Sequence, residues 1–291
     1  MKKIMAILVI LMLFLLTTVS FTMAINETKT LYVDDDGTAE FTSIQDAIEA
    51  SSQGDTIFVY SGTYHENLQI DKTLTLTGEE KSSTIISGLG YGNVVNITAD
   101  SVVMQGFFVT DGIRWGSGIF VHDTVDVSII NCTIAFNNGI GVELDLTKHA
   151  QVLNCVIAGN EQFGIVVYTS DGSHINSDNN IISNCDISTN TEGIFLDDII
   201  RCTVTNNKIS SNDEYGVHIV FVQDCQITKN NFIFNHVDAF FEGRYRNTWS
   251  QNYWQKSMHL GMKIIFGKIV FIPWLNFDKN PSDRPYEIGG N

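Results

Sequence analysis

A glycine followed by a β-branched residue recurs along this chain at a nearly constant interval. The pairs begin at Gly118, Gly141, Gly164, Gly193 and Gly216, which are 23, 23, 29 and 23 residues apart. An asparagine follows 19 residues after four of these glycines, at Asn137, Asn160, Asn212 and Asn235, and Asn190 is the displaced fifth member. A fixed period of this length predicts a solenoid in which each repeat packs only against its neighbours.

The repeats have the composition of short strands separated by tight turns. Each contains stretches of alternating Ile and Val, which predict strands, divided by Asn, Asp, Gly and Ser, which are typical of turns. Leucine-rich repeats share this period but require a leucine frame, whereas the frame here is Ile, Val, Cys and Asn. We therefore predict an all-β parallel β-helix of about eight coils, with equivalent strands about 4.8 Å apart and stacked asparagine ladders.

Proline and charge support this interpretation and exclude another. The prolines are confined to the last 20 residues, at Pro273, Pro281 and Pro285, as expected where every strand is paired. The net charge is −16, which argues against nucleic acid as a partner. Residues 25–238 carry 8 basic and 29 acidic side chains, whereas residues 239–291 carry 7 and 4.

The first 24 residues have the pattern of an export signal. Lys2 and Lys3 precede an apolar run over residues 4–16, and small and polar residues follow up to Ala24. An uncleaved anchor is the alternative, because residues 4–25 are long enough to span a bilayer. We expect a secreted, cell-surface or periplasmic protein that meets a membrane only through this leader, if it is retained.

Both ends of the predicted solenoid have a candidate cap. Residues 42–50 place Ile44, Ala47 and Ile48 at helical spacing after a hydroxyl residue, and residues 54–59 then open the sheet. A helix there would cover the first open edge. We therefore predict a signal peptide over residues 1–24, a β-helix with a helix cap over residues 25–246, and a capping tail over residues 247–291.

Several motifs resemble known β-helix families. The opening resembles that of right-handed β-helix proteins of the pectinesterase and pectate-lyase-like group, in residues 41–48 (Phe-Thr-Ser-Ile-Gln-Asp-Ala-Ile), 54–57 (Gly-Asp-Thr-Ile), 62–66 and 74–78. The Gly-Ile-x-Leu and Asn-Asn-x-Ile repeats resemble those shared by carbohydrate-binding proteins, sugar hydrolases and the NosD periplasmic family. The tail, with Asn-Thr-Trp at 247–249 and Pro-Trp-Leu-Asn-Phe-Asp at 273–278, resembles endings of archaeal surface members of this group. The resemblance implies a right-handed, single-stranded, pectin-lyase-like solenoid, and it leaves the activity open.

Strand alternation defines one outer face with candidate functional residues. If the first and third residues after the repeat glycine point inward, the second and fourth point outward. Asp145 and Asp197 then lie two coils apart, about 9–10 Å at the backbone, near the upper separation of about 6.5–9.5 Å used by inverting glycosidases. The candidate catalytic residues are Asp145, Asp197 and Glu143, and the candidate sugar-binding residues are His122, Phe120, Tyr168, Phe195 and His218.

Three functions remain open on these residues. The leading interpretation is a scaffold that binds polysaccharide, or another component of the cell envelope, along this face, and the outer positions are also compatible with ordinary solvated side chains. A hydrolase or lyase is the main alternative, although the Asn-Thr-Asp, Gly-His-Gly and Arg-Ile-Lys motifs of polygalacturonases are absent. Basic groups for a lyase are few, with Arg114, Lys148 and Arg201 the nearest. The NosD resemblance adds an accessory protein for metalloenzyme maturation.

The sequence predicts no metal site by ligand spacing. The seven histidines are scattered, and no Cys-x-x-Cys or Met-x-Met run occurs. Calcium remains conceivable at Asp34, Asp35 and Asp36 or at the outer acids, and no other cofactor is expected. The cysteines fall into two inward columns, one with Cys132, Cys155 and Cys185 and one with Cys202 and Cys225, and we expect reduced core thiols.

Overall fold

The computed structural model describes residues 27–172, 177–243, 246–256 and 261–288. The predicted leader, residues 1–24, lies outside the described residues, as do His174 and His259. Within the described part, the chain forms strands β1 to β29 and one short helix, α1, spanning Ile44–Ala50.

The strands stack in three columns along the solenoid axis. The long-strand column comprises β4 (Leu68–Ile70), β7 (Val95–Ile97), β10 (Ser117–His122), β13 (Ile140–Asp145), β16 (Phe163–Tyr168), β19 (Glu192–Asp197), β22 (Tyr215–Val220), β25 (Val237–Glu242) and β28 (Lys263–Ile269). The second column comprises β1 (Thr30–Val33), β2 (Thr56–Val59), β5 (Thr75–Gly78), β8 (Val103–Gln105), β11 (Ser128–Ile130), β14 (Gln151–Leu153), β17 (Ile181–Ser183), β20 (Thr203–Thr205), β23 (Gln226–Thr228), β26 (Thr248–Ser250) and β29 (Ile272–Asp278). The third column comprises β3 (Gly62–His65), β6 (Thr84–Ser87), β9 (Phe108–Thr110), β12 (Thr133–Ala135), β15 (Val156–Ala158), β18 (Asp186–Ser188), β21 (Lys208–Ser210), β24 (Asn231–Ile233) and β27 (Tyr253–Trp254).

Neighbouring strands in each column are parallel and in register with the sequence repeat. Ile119 pairs with Val142, and Val142 pairs with Ile165, so equivalent repeat positions stack. The predicted all-β parallel β-helix is therefore confirmed. It is longer than predicted, with about ten coils instead of about eight. The early coils escape the sequence pattern because β4 and β7 have three residues each, whereas β10 and the strands that follow it in the long-strand column up to β25 have six.

The core is a single apolar interior enclosed by the three columns of strands. Ile, Val and Leu at the first and third positions after the repeat glycine are fully buried, as at Ile119, Val121, Val142 and Leu144. The buried cluster runs without a break from Leu31 to Ile265.

The repeat asparagines form a buried ladder at one corner of the coil. Side-chain amides donate from Asn137 to Asn160 (2.9 Å), from Asn160 to Asn190 (3.0 Å), from Asn190 to Asn212 (3.3 Å) and from Asn212 to Asn235 (2.9 Å). The insertion that displaces Asn190 in sequence leaves it in line within the structure. Each rung satisfies groups that are otherwise costly to bury.

A second row of stacked side chains inside the coil changes from cysteine to asparagine along the axis. Cys132, Cys155 and Cys185 occupy its first coils as buried free thiols. The column continues as an amide ladder from Asn207 to Asn230 (3.0 Å) and from Asn230 to Asn252 (3.1 Å). It ends at the buried Asp278, whose Oδ2 accepts from the Nδ2 of Asn252 at 3.1 Å and the Nε1 of Trp254 at 3.1 Å.

Helix α1 covers the N-terminal end of the solenoid. Its N-cap is Ser43, whose Oγ accepts from the Asp46 amide at 3.2 Å, and the Glu66 carboxylate accepts from the Ile44 amide at 2.9 Å. The predicted first strand at residues 54–59 is the second in its column, because β1 pairs with it from Thr30 opposite Thr56. The signal for β1 was only the alternation of two inward side chains, Leu31 and Val33.

The C-terminal tail begins as another coil and ends as a hairpin. Thr248 pairs with Gln226 and Tyr253 with Asn231, so the predicted boundary between residues 246 and 247 falls within the solenoid. Strands β28 and β29 then form an antiparallel hairpin that closes the end. In the part of the chain that the structure describes, no helix has the length and apolar content to cross a bilayer.

Candidate functional site

The outer side of the long-strand column carries the residues singled out from sequence. One row runs in register from Phe120 through Glu143, Val166, Phe195 and His218 to Phe240 and Phe266. A second row runs from His122 through Asp145, Tyr168, Asp197 and Val220 to Glu242 and Lys268. The alternation rule therefore places every candidate on the face that we expected.

Residues that precede a repeat glycine also join this face, at Phe163 and Tyr215, which simple alternation does not predict. Phe163 lies 5.3 Å from Phe195, and Tyr215 lies 4.7 Å from His218, measured between ring centroids. The glycines permit this because the coils touch there. A Cβ on Gly141 would lie 2.6 Å from the carbonyl oxygen of Gly164 and 2.8 Å from the Asn160 amide nitrogen.

A first polar cluster centres on Glu143. Its carboxylate accepts a hydrogen bond from the Tyr168 hydroxyl at 2.8 Å and another from the Ser117 hydroxyl. Burial and the Glu143 carboxylate both raise the pKa of Tyr168. Tyr168 is therefore held as a neutral hydrogen-bond donor, and Glu143 is engaged by its neighbours.

Asp145 points outward but is not accessible. It is 3% exposed, because the loop after β16 folds over it. Its carboxylate accepts from the Ser170 amide at 3.0 Å, from the Ser170 hydroxyl at 2.7 Å, and lies 3.0 Å from His122 Nδ1. The sequence predicts an exposed Asp145, and the structure corrects this, since the insertion after residue 168 supplies the lid.

A second cluster centres on His218, inside an aromatic surround. Rings of Phe195, Tyr215 and Phe240 lie 5.1, 4.7 and 5.7 Å from its own. His218 Nδ1 lies 3.1 Å from Glu192 Oε2, and Nε2 lies 3.7 Å from Glu242 Oε1, which Lys268 contacts at 2.9 Å. Two carboxylates and three rings thus fix the orientation of this imidazole.

Asp197 borders the second cluster. Burial and the neighbouring Asp198 raise the pKa of Asp197, and His218 partly opposes that shift. Tyr168 lies between Asp145 and Asp197 in the row, as two coils of separation require. Because Asp145 is covered, the structure does not present these two carboxylates as a facing pair.

A groove of about 410 Å³ runs along the N-terminal edge of the long strands, next to the second cluster. It crosses five coils. Each of the five long strands from β10 to β22 is preceded, within two positions, by a residue that lines the groove. Trp115, 79% exposed, lines it, with the Arg114 guanidinium 5.1 Å over the indole ring. The other lining residues are Asn138, Glu161, Gln162, Phe163, Thr191, Glu192 and Glu214.

Sequence reasoning missed most of this groove. The sequence pattern assigns no role to Trp115, and it offers Arg114 only as a possible base for a lyase. For the residues that precede each repeat glycine, the pattern was not used to predict whether the side chain points inward or outward. Their recurrence at the repeat interval was a usable signal, since residues at one repeat position form a row along the axis.

Comparison with known proteins places the chain among β-helix proteins. The profile of a family described as periplasmic copper-binding protein (NosD) matches residues 48–270. A cell surface glycoprotein of Methanothermus fervidus is 34% identical over 104 residues, which is 34% of this chain and 17% of that protein.

Among solved structures, similarity is confined to the fold. The ORF18 protein of Geobacillus virus E2 aligns with a TM-score of 0.51 and 13% identity, over 84% of this chain and 63% of that one. An alginate lyase from Paenibacillus sp. aligns at 0.47 and 15% identity, over 75% of this chain and 95% of that one.

The described residues do not fit a copper site. Copper sites draw on converging imidazole, thiolate or thioether ligands. Among residues 27–172, 177–243, 246–256 and 261–288, no three His, Cys, Asp or Glu side chains are placed to hold a metal ion. The cysteines face the core, and burial raises the pKa of Cys132, which disfavours the thiolate that metals require.

Proposed function

This chain belongs to the NosD family, which is described as periplasmic copper-binding protein. We propose that it is a cell-surface or periplasmic β-helix protein that binds a polysaccharide chain in the groove along its long strands. The similarity to a cell surface glycoprotein supports the location. The exposed Trp115 in an elongated groove is the observation that carries the binding function.

The shape of the groove suits a linear glycan. Its five coils span about 19 Å, at about 4.8 Å for each interval. Trp115 offers an exposed ring face at one end, and Phe163 contributes a second aromatic side chain. Aromatic faces pack against the apolar sides of sugar rings, while amide and carboxylate groups accept from hydroxyls.

The charge of the groove selects among glycans. Glu161, Glu192 and Glu214 line it against the single guanidinium of Arg114. A uronate polymer would place its carboxylates among these acids, with unfavourable Coulomb energy. We therefore expect neutral polysaccharides to bind more tightly than polygalacturonate or alginate, unless calcium bridges the acids.

A polysaccharide hydrolase is the second candidate, favoured by the raised pKa of Asp197. A carboxyl that stays protonated longer suits a general acid. It ranks second because Asp145 is covered by Ser170 and Glu143 is bound by Tyr168, so neither supplies a free partner.

The test uses the full chain with xylan, mannan, polygalacturonate and alginate, each with and without calcium. We expect binding of a neutral polymer by affinity electrophoresis, without release of reducing ends. Trp115→Ala should weaken it about tenfold, as expected for loss of one aromatic contact. Phe136→Ala, which removes a similarly exposed ring outside the groove, is the matched control.

Two results would redirect the proposal. Equal binding by wild type and Trp115→Ala would remove the groove from the function. Product release that Asp197→Asn abolishes, while binding persists, would make the protein an enzyme.

A further inference from the structure

The chain contains the acceptor sequence for N-linked sugars, Asn-x-Thr, at Asn26, Asn96 and Asn131. Asn280 is followed by proline and serine and does not qualify, because the middle residue must not be proline. Asn26 lies outside the described residues. The other two lie within them, and the structure gives them different surroundings.

Asn96 lies in the middle of β7, with a paired strand on each side. It is in register with Gln69 on one neighbouring coil and with Phe120 on the other. Its Nδ2 donates to Gln69 Oε1 at 2.6 Å, and its Oδ1 is buried. A sugar on Nδ2 would have to fit among the side chains of these coils. The folded solenoid therefore disfavours an N-linked sugar at Asn96.

Asn131 lies at an exposed corner, in the turn between β11 and β12. Its Oδ1 accepts a hydrogen bond from Lys81 Nζ at 3.0 Å, and its Nδ2 has no hydrogen-bond partner among the described residues. The equivalent position on the preceding coil is Gly106, which has no side chain to crowd this amide. The atom that would carry the sugar is therefore free, while the oxygen of the same amide is held by the protein.

The same corner recurs on the next three coils, which separates the conformation of the asparagine from the acceptor sequence. Asn131 has φ of 50°, and positive φ recurs at Asn154, Asn184 and Asn206. Asparagine tolerates this left-handed conformation, so the turn alone explains its presence at all four positions. Two residues further on, these asparagines are followed by Thr133, Val156, Asp186 and Lys208 respectively. Only the first of the four corners thus has the hydroxyl that recognition requires.

We propose that Asn131 is an acceptor site for an N-linked oligosaccharide that is delivered on a lipid phosphate. The transfer forms a bond between Asn131 Nδ2 and the anomeric carbon of the sugar, and it breaks the bond between that carbon and the phosphate oxygen. The lipid phosphate leaves, together with the proton lost from Nδ2. Asn131 Oδ1 is unchanged, so it can still accept from Lys81 in the product.

A sugar at this corner leaves the groove open. Asn131 lies between a strand of the second column and a strand of the third, whereas the groove lies where the third column leads into the long strands. An N-linked sugar is bulky and hydrated, which suits an exposed corner. The proposal rests on the exported location proposed above, since the acceptor sequence is used on exported chains, and it does not rest on binding in the groove.

The test maps N-linked sugars on the full chain, expressed with residues 1–24 intact in a host that N-glycosylates its exported proteins. An added C-terminal Asn-Ala-Thr reports whether the chain reaches the transferase. The secreted protein is treated, in heavy-oxygen water, with the amidase that removes N-linked sugars, so each glycosylated asparagine becomes a labelled aspartate. Trypsin cleaves after Arg114 and Lys148, which separates the peptides of Asn96, Asn131 and Asn154 for mass spectrometry.

We expect label on Asn131 and on the C-terminal reporter, and none on Asn96. Thr133→Val should abolish the label on Asn131 without loss of secretion, because valine keeps the β-branched shape in this strand. Val156→Thr is the matched reverse change, since Val156 pairs with Thr133 on the next coil. It should add label to Asn154, which has the same corner conformation and is also exposed.

Four results would overturn the proposal. A labelled reporter beside an unlabelled Asn131 would show that the corner is not an acceptor. Label on Asn131 that persists in Thr133→Val would assign the modification to another chemistry. Equal labelling of Asn96 and Asn131 would show that the fold does not select between them. An unlabelled reporter would overturn the exported location, and the modification with it. Failure of the groove to bind a polysaccharide changes none of these readouts.

Discussion

Asn160 and Asn190 lie on neighbouring coils, and one oxygen of Asn190 serves both groups that face it. Asn190 Oδ1 accepts from the side-chain Nδ2 of Asn160 at 3.0 Å and from its backbone amide at 3.0 Å. Asn160 Nδ2 also reaches the carbonyl of Ile134 at 3.3 Å. One side chain therefore connects three coils inside the protein.

Replacing this side chain should destabilise the fold. Asn160→Leu removes the donor and leaves the buried Asn190 oxygen with fewer partners, at a cost of about 1–3 kcal/mol in the free energy of unfolding. Denaturant unfolding followed by circular dichroism measures it, with the exposed Asn138→Leu as the control. An unchanged midpoint would show that the ladder is hydrated.

Asp197 should make stability depend on pH in an unusual direction. Its pKa is raised on folding, mainly by burial, so the native state holds the proton more tightly than the unfolded chain. The free energy of unfolding should therefore fall as pH rises from about 3.8, the ordinary value, through the native pKa. Above that window, the ionised side chain costs stability.

Asp197→Asn tests this sign. The variant should be more stable than wild type at pH 7, and the difference should close as the pH falls below about 4. Thermal melts across pH measure it, beside the exposed Asp213→Asn. A variant less stable than wild type at neutral pH would mean that Asp197 is stabilised as an anion.

The thiols should be inert until the protein unfolds. All five are buried, and burial raises the pKa of Cys132 and of Cys155. The native protein should gain no mass with iodoacetamide, and the denatured, unreduced protein should gain five adducts. Fewer adducts after denaturation would reveal disulfides, and adducts on the native protein would reveal local opening.

The sequence predicts the coil well because two residue types, glycine and asparagine, each mark the repeat. Glycine is needed where successive backbones approach within a Cβ radius, and asparagine is needed where amides stack, so both recur at the period. Together they set the register, and the register sets which side chains point outward. Phe120, Phe195 and His218 therefore lie where alternation places them.

Accessibility does not follow from the same pattern. Asp145 is equivalent to Asp197 in the repeat, yet Ser170 covers one and not the other, because a loop insertion is invisible to periodicity. The groove could not be predicted from the repeat for a related reason. Trp115 and Phe163 lie before the repeat glycines Gly118 and Gly164, whereas strand alternation was applied only to the four positions after each glycine.

The row of stacked amides formed by Asn207, Asn230 and Asn252 ends at Asp278, and this end decides where further coils can be added. An asparagine side chain both receives and passes on a hydrogen bond, so inserting one more coil among Asn207, Asn230 and Asn252 leaves every neighbour chemically unchanged. Asp278 receives from Asn252 but has no N–H to pass on. It acts as a terminator in the sense of polymer chemistry. Duplication of coils during evolution can therefore lengthen this protein ahead of Asp278, while the closing hairpin stays after the last coil.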